Sequence, residues 1–175
     1  MGDPAIATNH DDDASAAGGR GKGVASSAAF RRRAALLAVI GAGGAIGAAA
    51  RYGTALAIRP SAAAYPVATF LVNVVGAVIL GAVAALPAGW LPAHELTRPA
   101  IGTGFCGGLT TFSTMTLEIY QRWAGHTALA AAYAAISLVA APACAWAGFT
   151  LARSALNASR ERRAPPGSPK EQVPK

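Results

Sequence analysis

Between residues 34 and 152 the chain carries four arginines, two glutamates and no lysine or aspartate. So long a stretch with so few charges cannot make a solvated exterior, and this limits the fold more than any motif does. Soluble domains carry about 25% charged residues; this chain has 13%, with 53% hydrophobic residues. Most charges lie at the two ends. Residues 1–33 hold five basic and four acidic groups, and residues 153–175 hold six basic groups, two acids and four prolines. This is the composition of a membrane domain over 34–152, flanked by tails expected to be disordered. The leading tail does not read as a signal peptide, because no apolar stretch lies between its basic residues and Asp11-Asp12-Asp13.

Four apolar runs fill the middle: 34–57, 65–86, 99–121 and 127–151. Each is long enough to cross a ~30 Å hydrocarbon core as a helix rising about 1.5 Å per residue. The links around "IRPSAAA", "PAGWLPAHELTR" and "RWAGH" are short and favour antiparallel neighbours. The expected class is an all-α membrane protein with four transmembrane helices.

The third run contains "GTGFCGGLTTFSTM", residues 102–115. Its Gly102-x-Gly104-x-x-Gly107 spacing matches a dinucleotide fingerprint, but that fingerprint needs a preceding strand and an acid about twenty residues on. Here Arg98-Pro99 precedes the glycines within an apolar span, and Glu118 follows too closely. Nucleotide binding is therefore set aside. Gly102, Gly104, Gly107 and Gly108 lower helix stability, so the third helix is expected to break near 107–111. Irregular backbone at membrane depth survives only where protein or a polar cavity receives its freed groups, and such groups serve as ion ligands. Gly104-xxx-Gly108 also suits close helix packing, which explains the glycines but not the hydroxyls of Thr110, Thr111, Ser113, Thr114 and Thr116.

Read as one helix, Thr110, Thr114 and Glu118 fall on a single stripe at i, i+4, i+8, with Phe112 and Met115 beside it. Thr69 and Asn73 repeat the i, i+4 spacing in the second run, as do Tyr133 and Ser137 in the fourth. Each alone serves equally as interhelical glue; together they outline a path lined by hydrogen-bond donors, which suits a small anion. Asn73 is costly in hydrocarbon without a partner. Arg51, deep in the first run, must face a vestibule, a carboxylate or helix-end carbonyls, or else snorkel to the interface. Cys106 and Cys144 read as small buried residues; no ligand set for a metal surrounds them.

These residues resemble the CrcB/Fluc family of fluoride channels over about residues 37–152. The resemblance rests on "GAGGAIGAAARYG", "PVATFLVNVVGAVILG" and above all "GTGFCGGLTTFSTMTLE". It implies an antiparallel, dual-topology dimer of four-helix subunits with two fluoride pores. It also implies a structural Na⁺ at the dimer centre, held by backbone carbonyls that fall on Gly107 and Thr110. The pore phenylalanines fall on Phe112 and Met115, the asparagine on Asn73, the hydroxyls on Ser113 and Thr114, the acid on Glu118 and the arginine on Arg51. Tyr133 and Ser137 match the fourth helix. Met115 departs from the family pattern: an aromatic edge carries partial positive charge, and a thioether offers a weaker version of that contact.

The implied role is passive. HF crosses membranes as a neutral acid and ionises in the more alkaline cytoplasm, and an anion pore lets the trapped fluoride leave. Two other readings compete. A small four-helix proton-coupled exporter would need a titratable carboxylate at the centre of a span, where the first run offers Arg51. A non-conducting scaffold would leave Asn73 and the hydroxyl run without purpose. With four spans both tails share one side, which then holds twelve Lys/Arg against Arg59 and Arg122 on the other. The positive-inside rule places the tails in the cytoplasm of a plasma-membrane protein. That bias sits awkwardly with one chain inserting both ways, so the partner is expected to be either a second copy or an oppositely oriented homologue.

Overall fold

The computed structural model describes residues 12–58, 64–87 and 94–163, and the regular elements among them are all helices, with no strand. Helix α1 spans Asp12–Ala57, α2 Val67–Ala85 and α3 His94–Pro99. A π-helical stretch follows over Ala100–Cys106, then α4 over Gly107–Leu109, α5 over Phe112–Trp123 and α6 over Thr127–Arg163. The chain divides into two units at Ala38 and Val39. The first is the leading part of α1, and the second holds all the other elements.

Three described helices are long and apolar enough to cross a membrane: Ala29–Ala57, Val67–Ala85 and Thr127–Arg160. The third apolar run supplies no single helix of that length, because Thr110 and Thr111 divide it. Pro99 lies inside this run; it has no N–H to give and crowds the carbonyl one turn back. The helix continues past it with the wider π-type turns that accommodate such a misfit. Two boundaries differ from expectation. The stretch 12–33, expected to be a disordered leader, is drawn into α1; its alanines and basic residues have good helix propensity. The fourth helix continues beyond residue 152 to Arg163. The rest of both expected tails, residues 1–11 and 164–175, lies outside the described residues.

Glycines let backbones touch. A Cβ on Gly43 would strike the Ala100 carbonyl, one on Gly47 the Phe105 carbonyl, and one on Gly108 the Gly44 carbonyl. Gly104 faces Ile40 and Gly43 in the same seam. The reciprocal pair Gly81 and Gly148 seats α2 against α6, facing the Ala145 and Val78 carbonyls. Small residues at i, i+4 are the usual means of close approach where lipid removes the hydrophobic drive between helices. The exterior is correspondingly apolar, with Ile46, Leu80, Leu138, Val139 and Trp146 all exposed.

Gly108→Ala should therefore destabilise the subunit by about 1–3 kcal/mol, the usual cost of overpacking. A detergent-denaturation midpoint reads this out, and an unshifted midpoint would show that the seam can part without cost.

Candidate functional site

The site is organised by the two residues that leave the helix. Thr110 (φ −80°, ψ 155°) and Thr111 (φ −152°, ψ 124°) are extended, ordinary geometry for β-branched residues. A side chain from α2 holds them there. Asn73 Oδ1 accepts the Thr111 N–H at 2.8 Å, and Asn73 Nδ2 donates to the Thr111 carbonyl at 3.1 Å. One amide thus satisfies both backbone groups of a half-buried extended residue, as a neighbouring strand would. Thr111 also caps α5: its Oγ1 accepts the Thr114 N–H at 3.2 Å and donates to Thr114 Oγ1 at 3.0 Å. Ser113 Oγ lies 3.3 Å from the same oxygen.

This arrangement changes what the nearby carbonyls can do. In a continuous helix the Thr111 amide would bond the Gly107 carbonyl, and the Thr114 amide the Thr110 carbonyl. Both amides are given instead to side chains, Asn73 Oδ1 and Thr111 Oγ1. The Cys106 carbonyl accepts both the amide and the hydroxyl of Thr110, each at 2.9 Å. The Gly108 carbonyl accepts Arg51 Nε at 3.2 Å. Of the helix-end carbonyls and side groups open to Arg51 on sequence grounds, the structure selects a helix-end carbonyl, a favourable place for a cation.

A second cluster lies further along α5. Glu118 accepts Thr69 Oγ1 at 2.8 Å on one carboxylate oxygen and the Tyr133 hydroxyl at 2.9 Å on the other. It thereby ties α2, α5 and α6 together, and the Tyr133 side chain is fully buried. Arg122, one turn beyond, is also buried. Its Nε donates to the Ala64 carbonyl at 3.2 Å and a terminal nitrogen donates to the Glu118 carbonyl at 3.1 Å. The stripe expected from Thr110 through Thr114 to Glu118 needs correction. Thr110 lies before α5 in extended backbone, so only Thr114 and Glu118 share that helical face.

Two cavities flank the extended residues. A recess of ≈ 260 Å³ is lined by Arg51, Thr69, Thr111 and Thr114 among others. A more open groove of ≈ 600 Å³ is lined by Asn73, Gly107, Thr110, Phe112, Met115 and Ser137 among others. Thr111 is in the wall of both. Phe112 is 70% exposed whereas Met115 is buried, so these neighbours meet different surroundings. The residues singled out in the sequence therefore fall into three groups, the groove, the recess, and the Glu118 cluster with Tyr133, except Ser113, which is exposed beside Thr111 and lines neither cavity. Sequence reasoning gave no role to Thr111 or Arg122. A Thr-x-x-Thr step at a helix start is a capping signal that points to Thr111; nothing in the sequence marks Arg122 as buried. Cys106 is buried and Cys144 half-buried, and both are free thiols.

The family model described as CrcB-like protein, Camphor Resistance (CrcB), matches residues 38–149. The fluoride-specific ion channel FluC 1 of Mycobacterium bovis is 48% identical over 103 residues, 58% of this chain and 78% of that protein. FluC 2 of Rhodococcus jostii, also named a fluoride-specific ion channel, is 42% identical over 114 residues, covering 65% of this chain and 95% of its own length. The corresponding channel of Chlorobaculum tepidum is 40% identical over 116 residues, with 66% and 92% covered. The matched region contains Asn73, the extended Thr110 and Thr111, Glu118 and Tyr133, and the chain belongs to the CrcB family of membrane proteins, whose named relatives are ion channels and not enzymes.

Proposed function

We propose that this chain is a subunit of a fluoride-selective channel in the cell membrane, which lets cytoplasmic fluoride leave passively and so lowers fluoride toxicity. The observation that carries the reading is the Asn73 clamp on Thr111. It holds a polar interruption inside the third apolar run, between two cavities lined by hydroxyls and an amide. Relatives that are 40–48% identical are named fluoride-specific ion channels. In this reading α3 to α5 form one interrupted span. Asn73, Phe112, Ser113, Thr114, Met115, Tyr133 and Ser137 line the route, with Arg51 and Glu118 shaping the charge around it. The proton-coupled exporter is less well supported, since Glu118 has both carboxylate oxygens engaged by hydroxyls.

Asn73→Asp tests the route. The variant keeps an acceptor for the Thr111 amide, loses the donor to its carbonyl, and places an anion where fluoride passes; at close range in low dielectric that repulsion is severe. With purified protein in liposomes and a fluoride electrode, wild type should empty fluoride without a proton gradient and Asn73→Asp should not. Wild-type rates from the variant would take Asn73 off the path.

The carbonyls of Gly107 and Thr110, freed of helical donors, fit a hard cation such as Na⁺. Hard cations take oxygen ligands, and among the described residues no group of three His, Cys, Asp or Glu side chains competes for one. Two subunits about a two-fold axis would supply four such oxygens, and the ion would join the subunits by charge alone. Gly107 is exposed, and a Cβ there meets nothing within 4 Å. Gly107→Val should therefore leave the subunit folded yet abolish pairing, unlike Gly108→Ala. Pairing that persists in Gly107→Val, and is indifferent to replacing Na⁺ with a large organic cation, removes the ion from the interface.

If the chain inserts in a single orientation, the basic residues of the two tails and Arg98 favour both tails in the cytoplasm. The partner is then a second copy inserted the other way or an oppositely oriented homologue. A cysteine added near position 15 and labelled in intact cells should react from one side only. Labelling from both sides, with efflux from the single purified chain, would establish the antiparallel homodimer.

A further inference from the structure

Most polar hydrogens inside this bundle are already committed. Thr69 and Tyr133 donate to Glu118, Thr110 to the Cys106 carbonyl, Thr111 to Thr114 and the Asn73 amide to the Thr111 carbonyl. Hydroxyls on helices mostly bond back one turn, as Thr116, Thr127, Thr150 and Ser159 do. Among the described residues, two buried hydroxyl oxygens do neither. Tyr65 Oη and Ser137 Oγ are buried and have no hydrogen-bond partner. Ser137 is 7% exposed, yet its hydroxyl does not turn back to the carbonyl of Tyr133. The two hydroxyls are close enough to interact, but neither makes a well-formed hydrogen bond to the other or to any other described group.

Tyr65 is also held in place. Its ring makes edge contacts with Phe70 at 5.6 Å and 77° and with Tyr133 at 5.1 Å and 81°. Those contacts fix the ring beside α6 just before α2 begins, so the hydroxyl cannot swing away to water. Leaving a buried hydroxyl unpaired costs about 1–3 kcal/mol, and here two such groups are held together. Ser137 lines the groove with Asn73, Phe112 and Met115. A small acceptor shared by both would satisfy the pair.

We propose that Tyr65 Oη and Ser137 Oγ form a two-donor position for the permeating fluoride, with Tyr65 as a ligand in addition to the residues of the groove. The inference rests on the channel reading. Fluoride is a small, strong acceptor, and two O–H groups directed at one anion make charge-assisted hydrogen bonds. The Tyr65 ring packs against Tyr133, whose own proton is held by Glu118.

Full-length protein in liposomes tests this, with initial fluoride efflux measured over a range of internal fluoride. Tyr65→Phe keeps the ring and its edge contacts and removes only the donor. Its efflux should fall about tenfold, as expected for one lost hydrogen bond to a charged group, with a higher half-saturating fluoride. Ser137→Ala should fall similarly and Ser137→Thr should retain most of the rate. Because both donors serve one ion, the double variant should be little worse than either single one. Thermal midpoint and elution should match wild type, which separates a ligand from a packing role. Wild-type kinetics in Tyr65→Phe overturn the pair while leaving the channel reading intact, and that is also the result if a water holds the position. Losses that multiply in the double variant overturn the shared position. A wild-type protein that releases no fluoride overturns both.

Discussion

Everything that distinguishes this bundle from four plain spans depends on the Asn73 amide meeting the backbone of Thr111. An extended residue in a membrane span exposes an N–H and a carbonyl that lipid cannot satisfy. Asn73 satisfies both from one side chain. Once the Thr111 amide is taken, the Gly107 carbonyl has no helical donor. Once the Thr111 hydroxyl takes the Thr114 amide, the Thr110 carbonyl has none either. The free carbonyls, the start of α5 and the wall between the two cavities follow from the Asn73 pair of hydrogen bonds together with the Thr111 cap on α5.

The Glu118 cluster supports the same region from the other end. Thr69 and Asn73 lie one turn apart on α2; the first reaches Glu118 and the second reaches Thr111. A single face of α2 therefore sets both the beginning and the middle of α5. Arg122 fastens the end of α5 to the Ala64 carbonyl before α2, so the α5 segment is tied to α2 at two levels and to the residues leading into it at a third. The carboxylate of Glu118 receives two hydroxyl protons, and the buried guanidinium of Arg122 meets two carbonyls, which lowers the cost of placing either charge here.

Much of this was legible from residue types. Charge depletion gave the membrane class, and Asn73, a strong donor and acceptor in a span, had to have a partner; the identity of that partner, 38 residues away, is a tertiary fact that periodicity does not carry. The glycines at 102–108 drew attention to the right stretch for a different reason from the one the structure gives. They lie in helical turns, and Gly104 and Gly108 serve the contact with α1. The chain leaves the helix at the β-branched pair after them, where Asn73 and Thr114 supply better partners. Thr110 was placed on a helical stripe because i, i+4 spacing assumes an unbroken helix. The burial of Arg122 was not legible, because an arginine at the polar end of a span looks the same whether it snorkels or folds inward. The helix over residues 12–33 was missed because charged, small-residue sequence suits both a disordered tail and a helical extension.

The seam between Gly43, Gly44 and Gly47 of α1 and Gly104 and Gly108 of the following segment contains almost no side-chain atoms. Two surfaces that meet through main chain alone have no rotamers to redistribute, so neither can yield gradually under load. A displacement there must separate the whole contact or none of it. The Gly108 carbonyl, which receives Arg51, is part of this seam, so the guanidinium and the interrupted segment keep a fixed spacing. The first helix acts as a rigid datum from which the position of Thr110 and Thr111 is measured. Thermal motion in the bundle must then be taken up elsewhere, as in the links between helices.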